Sequence, residues 1–306
     1  MTSPSGARHA LRAGPYSAVV RSVGATLQSL RWNDRDLVLP FGDDELRPAF
    51  RGAVLAPWPN RVGDGRWTWQ GQQEQLALTE PERGHAMHGL VAWSEWRTVE
   101  HTDDAVTLTT TLWPQPGYPF QLDLTMRWSL DEERGLSAEL TASNAGPEPA
   151  PYGCAIHPYL VAPGGSVDEW VLHVPADREL QVDGRLLPTE LVDVPAAHDF
   201  RTRRPVDDAQ MDNAFTGVHF DRGEAHVTVT DADGNGARVT FGEATPWVQV
   251  CTSDWPGASH RAGLAVEPMT CPPNALASGT DLVVLEPGSD HVVSWQIRNA
   301  VPGSGE

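Results

Sequence analysis

Glycine and proline interrupt this chain so regularly that no long helix has room to form. There are 28 Gly and 26 Pro among 306 residues. Between them lie short runs in which apolar and polar residues alternate with period 2. Residues 16–23 (YSAVVRSV), 25–32 (ATLQSLRW), 105–112 (AVTLTTTL), 121–130 (QLDLTMRWSL), 135–142 (GLSAELTA), 225–230 (AHVTVT), 236–241 (GARVTF) and 291–298 (HVVSWQIR) are of this kind. They are rich in β-branched and aromatic side chains and bounded by turn formers, as half-buried strands are. Residues 231–236 (DADGNG) suit a hairpin connection. No segment holds a clean 3.6-residue period, so the helices should be few and short. The pattern predicts an all-β protein, a sandwich or a barrel. No repeat of 20–50 residues suggests a propeller or solenoid. No linker divides the chain, so residues 1–306 are expected to form one domain, with loose tails at 1–6 and 301–306.

Charge narrows the partners. The 41 acidic against 22 basic side chains give a net charge of −19, which nucleic-acid phosphates would repel. No stretch approaches 18 apolar residues and no apolar signal core follows Met1, so membrane and secretory roles are not expected. Three cysteines without C-x-x-C spacing, Cys154, Cys251 and Cys271, suit buried thiols in a reducing cytoplasm better than disulfides or structural zinc.

The candidates for chemistry are polar residues set in apolar or turn-rich surroundings. Glu267 stands in Gly263-Leu264-Ala265-Val266-Glu267-Pro268, an apolar strand running to a proline. A buried carboxylate there needs an ion-pair partner or a function. His157 lies where another apolar run meets Pro158-Tyr159, and His88 precedes Gly89. Either could also be an ordinary hydrogen-bonded histidine. Asn60-Arg61 follows the Pro57-Trp58-Pro59 segment, Asp212 could start a turn or cap a helix, and Gln249 sits mid-strand. His85 and His88 make an H-x-x-H pair, but without a helix this spacing is a poor metal signature, and no metal is expected. Neither a P-loop nor a dinucleotide fingerprint occurs, and no G-x-S-x-G surrounds Ser259-His260. Among the tryptophans, Trp58 or Trp255 could stack on a sugar.

Taken in order, these pieces resemble the aldose 1-epimerase (galactose mutarotase) family. The likeness runs from 24–30 (GATLQSL) through Pro59-Asn60-Arg61-Val62, Gly65-Arg66-Trp67-Thr68-Trp69, Glu80-Pro81 and His88-Gly89-Leu90 to the Glu267 segment. It implies a large antiparallel β-supersandwich with an open cleft. It implies Glu267 as general base, His157 as general acid and His88 as the second active-site histidine. Arg61, Asn60, Asp212 and Gln249 would then bind or orient the sugar. Three positions depart from the family: His85 replaces an Asn, Leu160 an aromatic, and Pro268-Met269-Thr270 the common Thr-Gln.

The resemblance implies exchange of the α and β anomers of a hexose by ring opening and closure, without cofactor or metal. An ionised Glu267 should raise the pKa of His157 and keep it protonated near neutral pH. The expected partner is a small sugar alone, and the chain would act as a monomer or homodimer. Three rivals share the same residues. A carbohydrate-binding module would need no acid–base pair. An epimerase of phosphorylated or sulfonated sugars would add cations such as Arg66, Arg83 or Arg261 to Arg61. A glycoside hydrolase would pair Glu267 with Asp212 and leave the histidines idle.

Overall fold

The computed structural model of the chain describes residues 3–257 and 259–300. All eight alternating runs are strands. Tyr16–Arg21 and Thr26–Trp32 lie in a four-stranded sheet with Arg8–Ala13 and Arg35–Asp36. The other six stand in a nine-stranded sheet. Its order is Arg97–His101, Ala105–Leu112, Leu122–Asp131, Gly135–Asn144, Asp290–Ala300, Gly236–Gly242, Glu224–Thr230, Val171–His173 and Arg204–Pro205. The last long strand of the chain therefore fills the middle of the sheet and ties its two halves together. Alternation does what it predicts: Leu122, Leu124, Met126, Trp128 and Leu130 are buried while Asp123 and Arg127 face out. Each such apolar side chain contributes ~1.5–3 kcal/mol on burial.

An eight-stranded sheet forms the facing layer. It runs Pro188–Asp193, Ala176–Val182, Asp212–Val218, Trp247–Cys251, Leu264–Met269, Ala155–Ile156 and Val54–Leu55, with Tyr159–Leu160 also paired to Leu264–Met269. The strand ladders are antiparallel, and the whole is the expected large β-supersandwich. Trp295 of the nine-stranded sheet donates its indole N–H to the Pro268 carbonyl across the layers, at 3.2 Å. Leu264–Met269 passes through Pro268 rather than stopping at it.

Among the described residues, helix is confined to the one-turn Ala275–Ser278 and to 3-10 turns at Pro48–Phe50, Val167–Glu169 and Ala196–His198. No described helix is long and apolar enough to cross a membrane. Of the expected loose tails, 1–6 and 301–306, residues 1, 2 and 301–306 lie outside the described residues. Residues 3–6 are not loose: Ser5 is buried and its carbonyl accepts the Val23 N–H.

Candidate active site

Strand pairing assembles the floor of the site. Leu264 and Val266 point into the main core, so Ala265, Glu267 and Met269 occupy the opposite face of the same strand. Register sets Gln249 directly beside Glu267, and Cys251 beside both Ala265 and Asp212. Ala155 and Tyr159 pair with Met269 and Ala265 of the Glu267 strand, so the intervening His157 is delivered to its carboxylate. His157 Nε2 lies 3.4 Å from Glu267 Oε1. The backbone of His157 is pinned by its N–H to Ala53 and by the Gly52 N–H to its carbonyl. The Tyr159 ring stacks on the imidazole at 5.3 Å and 12°.

A second pairing builds the wall. Arg61–Gly63 runs against His85–Met87, and beyond it the His88 N–H donates to the Asn60 carbonyl at 2.8 Å. The Asn60 N–H donates back to His88 Nδ1 at 3.2 Å. Both residues have left-handed backbones, as does Gly89. A Cβ at Gly89 would fall 2.0 Å from the Ala56 carbonyl oxygen, so only glycine lets the loop close here. Since His88 Nδ1 accepts a hydrogen bond from the Asn60 N–H, the neutral ring carries its proton on Nε2 and offers a donor. The His88 and His157 rings meet edge to face at 5.0 Å.

Arg61 organises the polar wall. Its Nε and Nη2 donate to the two oxygens of Glu80, at 2.9 and 3.1 Å, and Nη1 lies 3.5 Å from Asp212 Oδ2. Arg83 donates to the same Glu80. Gln249 Nε2 donates to Asp212 Oδ1 at 2.7 Å. Burial works to raise the Glu80 carboxyl, but the paired Arg61 bonds and the two guanidinium charges hold it below its ordinary value. Burial likewise works against the Arg61 charge, yet Glu80 and Asp212 raise its pKa above the ordinary value.

The floor is different. Burial pushes Glu267 well above the carboxylate range, the Asp212 charge adds to this, and Arg61 opposes it. Burial drives His157 down to about 3 and His88 well below its ordinary value. The expectation that Glu267 would hold the His157 pKa up is reversed: desolvation lowers His157 and raises Glu267, so burial favours the neutral form of each. Glu267 Oε2 and His157 Nδ1 are buried without a hydrogen-bond partner among the described residues.

These groups open onto a cleft of about 450 Å³ lined by Asn60, Arg61, His88, His157, Asp212 and Glu267. Six of the seven residues singled out in the sequence thus share one cavity. Gln249 does not line it and reaches it through Asp212. Asn60 spends its side-chain oxygen on the Arg61 N–H. Sequence reasoning assigned no separate role to Glu80, Tyr159 or Phe50: Glu80-Pro81 stood only as part of the family likeness, Tyr159 only as a neighbour of His157, and Phe50 carries no periodic or motif signal. Phe50 tilts onto His88 at 4.6 Å from a left-handed backbone (φ 55°), a conformation costing a bulky residue ~1–3 kcal/mol. Of the two tryptophans proposed to stack on a sugar, Trp255 lines the cleft and Trp58 is buried against Tyr118. Among Arg66, Arg83 and Arg261, only Arg83 is part of the lining.

The H-x-x-H pair is split. His85 turns its Nε2 to the Arg185 carbonyl at 3.0 Å, while ligand atoms of His88, His157 and Glu267 lie within 4.8 Å of one another. A metal would need a lone pair from each of the three. The tautomer imposed by Asn60 leaves His88 Nε2 without one, so the trio suits proton transfer better than cation binding.

A profile described as aldose 1-epimerase matches residues 8–298. The uncharacterized protein YihR of Escherichia coli (strain K12) is 39% identical over 294 residues, spanning 96% of this chain and 93% of its own. The galactose mutarotase of Mus musculus is 27% identical over 64% of this chain and 60% of its own. Among solved structures, the GalM/aldose epimerase homologue from C. elegans superposes with a TM-score of 0.87 at 20% identity, covering 96% of this chain and 99% of that one. A putative aldose 1-epimerase from Escherichia coli K12 gives 0.81 at 21% identity, covering 96% and 98%.

Proposed function

This chain belongs to the aldose 1-epimerase family, and from that premise we propose that it interconverts the α and β anomers of a hexose by acid–base ring opening and closure. One observation carries the reading: an imidazole and a carboxylate, buried and 3.4 Å apart, stand at the bottom of a sugar-sized cleft. A binding module would have no use for such a pair, whose burial is costly.

Glu267 is assigned as the base that removes the proton from the C1 hydroxyl, and His157 as the acid that protonates the ring oxygen. As the C1–O5 bond breaks, C1 becomes an aldehyde. Rotation about C1–C2 presents its other face, and closure returns both protons. The charged pair (Glu267 ionised, His157 protonated) and the neutral pair differ only in where one proton sits. Ring opening converts the charged pair to the neutral one. Burial of the pair thus favours the protonation that accompanies the open-chain aldose. Sugar hydroxyls donating to the Glu267 carboxylate where it lines the cleft would stabilise its ionised form before the step. Each positioned acid or base is worth ~10²–10⁴ in rate.

His88 Nε2–H and Arg61 are assigned as donors to sugar oxygens on which negative charge grows. Asp212, held by Arg61 and Gln249, orients a hydroxyl.

The test is anomer-exchange NMR on neutral, phosphorylated and sulfonated hexoses, with polarimetry of a freshly dissolved pure anomer. Acceleration by the wild type that Glu267→Gln loses is expected. A protein that binds sugars and leaves their mutarotation at the spontaneous rate would refute the reading.

A further inference from the structure

The segment Arg47-Pro48-Ala49-Phe50-Arg51-Gly52 makes one side of the cleft and has no part in the proton transfers. Ala49 (φ 44°) and Phe50 (φ 55°) are consecutive non-glycine residues in the left-handed region. Neither side chain favours that backbone, so the surroundings must impose it.

They do so with two arginines. The Arg47 guanidinium donates to the Ala92 carbonyl at 2.6 Å and lies 4.3 Å from the centre of the Trp93 ring. Arg51 donates to the Pro40 carbonyl at 3.2 Å and to Ser259 Oγ at 2.6 Å. Both are buried, and among the described residues neither has a carboxylate within ion-pair distance. Isolated buried cations are costly, and here both anchor the strained turn. Inside the turn, the Arg51 N–H donates to Pro48 and the Ala53 N–H to Phe50. The Tyr159 hydroxyl, from the ring stacked on His157, donates to the Ala49 carbonyl at 3.2 Å.

This anchoring leaves the Phe50 ring in the cleft lining, 4.6 Å from His88 and 5.7 Å from Trp93. Arg61, Asp212, His157 and Glu267 meet a sugar's oxygens, but a pyranose also has apolar C–H faces, which aromatic rings cover well. We infer that Phe50 is a substrate-contacting residue: its ring receives a C–H face of the sugar and fixes the angle at which His88 presents its Nε2–H. The inference rests on the anomer-exchange reading of this cleft.

The test compares wild type, Phe50→Leu and Phe50→Tyr by anomer-exchange kinetics, thermal melting and saturation-transfer NMR of the sugar. Leu keeps apolar volume and removes the ring. It should melt with the wild type, raise KM about tenfold, lower kcat several-fold and weaken saturation transfer to the sugar ring protons. Tyr should restore most of each loss. Wild-type kcat and KM in Phe50→Leu would overturn the inference. So would a loss that tracks a lower melting temperature and that Tyr does not rescue, since that describes a packing residue. A wild type that binds sugar without turning it over would sink anomer exchange alone, with Phe50 then judged by the binding comparison. A wild type that does neither would sink both.

Discussion

The floor and the wall of the cleft treat buried charge in opposite ways. On the wall, Arg61 is met by both oxygens of Glu80 and by Asp212, and ionisation of Glu80 is favoured. On the floor, Glu267 and His157 stand 3.4 Å apart, Glu267 Oε2 and His157 Nδ1 have no partner among the described residues, and burial drives both groups toward neutrality. A saturated network holds its shape, whereas an undersatisfied pair can change its protonation when a ligand arrives. On the proposed reading, positioning would fall to the wall and proton movement to the floor.

The largest expected effect tests the floor. Glu267→Gln keeps the shape and removes the proton acceptor. It should lower kcat by about 10³-fold or more with KM little changed, measured by anomer-exchange NMR. Its thermal stability should equal or exceed the wild type, because a buried ionisable group has gone. His157→Gln should behave alike. A large loss of stability in either would mean that the floor is a structural ion pair.

The wall should respond with the opposite sign in stability. Arg61→Met leaves Glu80 and Asp212 without their main partner, and Glu80 is half-buried. Loss of one member of such a pair costs ~3–5 kcal/mol, which urea unfolding would register. Undiminished stability would show that Arg83 alone satisfies Glu80, and the contrast between the two regions would fail.

The two regions also differed in how far the sequence revealed them. The Leu122–Asp131 strand alternates because one face meets the core and one meets water. Trp247–Cys251 and Leu264–Met269 are buried throughout, so they give no alternation, and Glu267 stood out only as a charge in an apolar run. The roles proposed for it, for His157 and for His88 came from family resemblance and residue order. The network around Arg61 was not legible: Glu80 is 19 residues away in sequence, and its bidentate contact depends on the pairing of Arg61–Gly63 with His85–Met87. The direction of the His157 shift was also hidden, because desolvation depends on how deeply the cleft floor is enclosed. Phe50 was hidden by a backbone that its own sequence does not favour.

The pH dependence of stability separates the two floor residues. Glu267 has its folded pKa raised from an ordinary 4.5. Its contribution is full below that value and is lost as pH rises toward the folded pKa. The advantage of Glu267→Gln over wild type should therefore grow above pH 4.5, by on the order of 1 kcal/mol per unit at the outset. His157 falls from an ordinary 6.5 to about 3, so its contribution is full above 6.5 and is lost as pH drops through that window. Wild type should lose ground to His157→Gln there. Parallel melting curves across pH 4–8 for all three proteins would show that neither group is shifted by the fold.

Gln249 offers the smallest effect and the finest test, because it connects the two regions. It rises from the floor beside Glu267, yet its Nε2 donates to Asp212, which Arg61 holds from the wall. Its own Oε1 is buried without a partner. In Gln249→Leu, Asp212 loses one of two anchors while an unsatisfied oxygen disappears, so stability should change by less than about 1 kcal/mol. Asp212 should orient its hydroxyl less well, raising KM about tenfold with kcat nearly kept. If kcat falls as far as in Glu267→Gln instead, Gln249 serves the proton pair directly, and the division between a floor that moves protons and a wall that positions sugar is drawn in the wrong place.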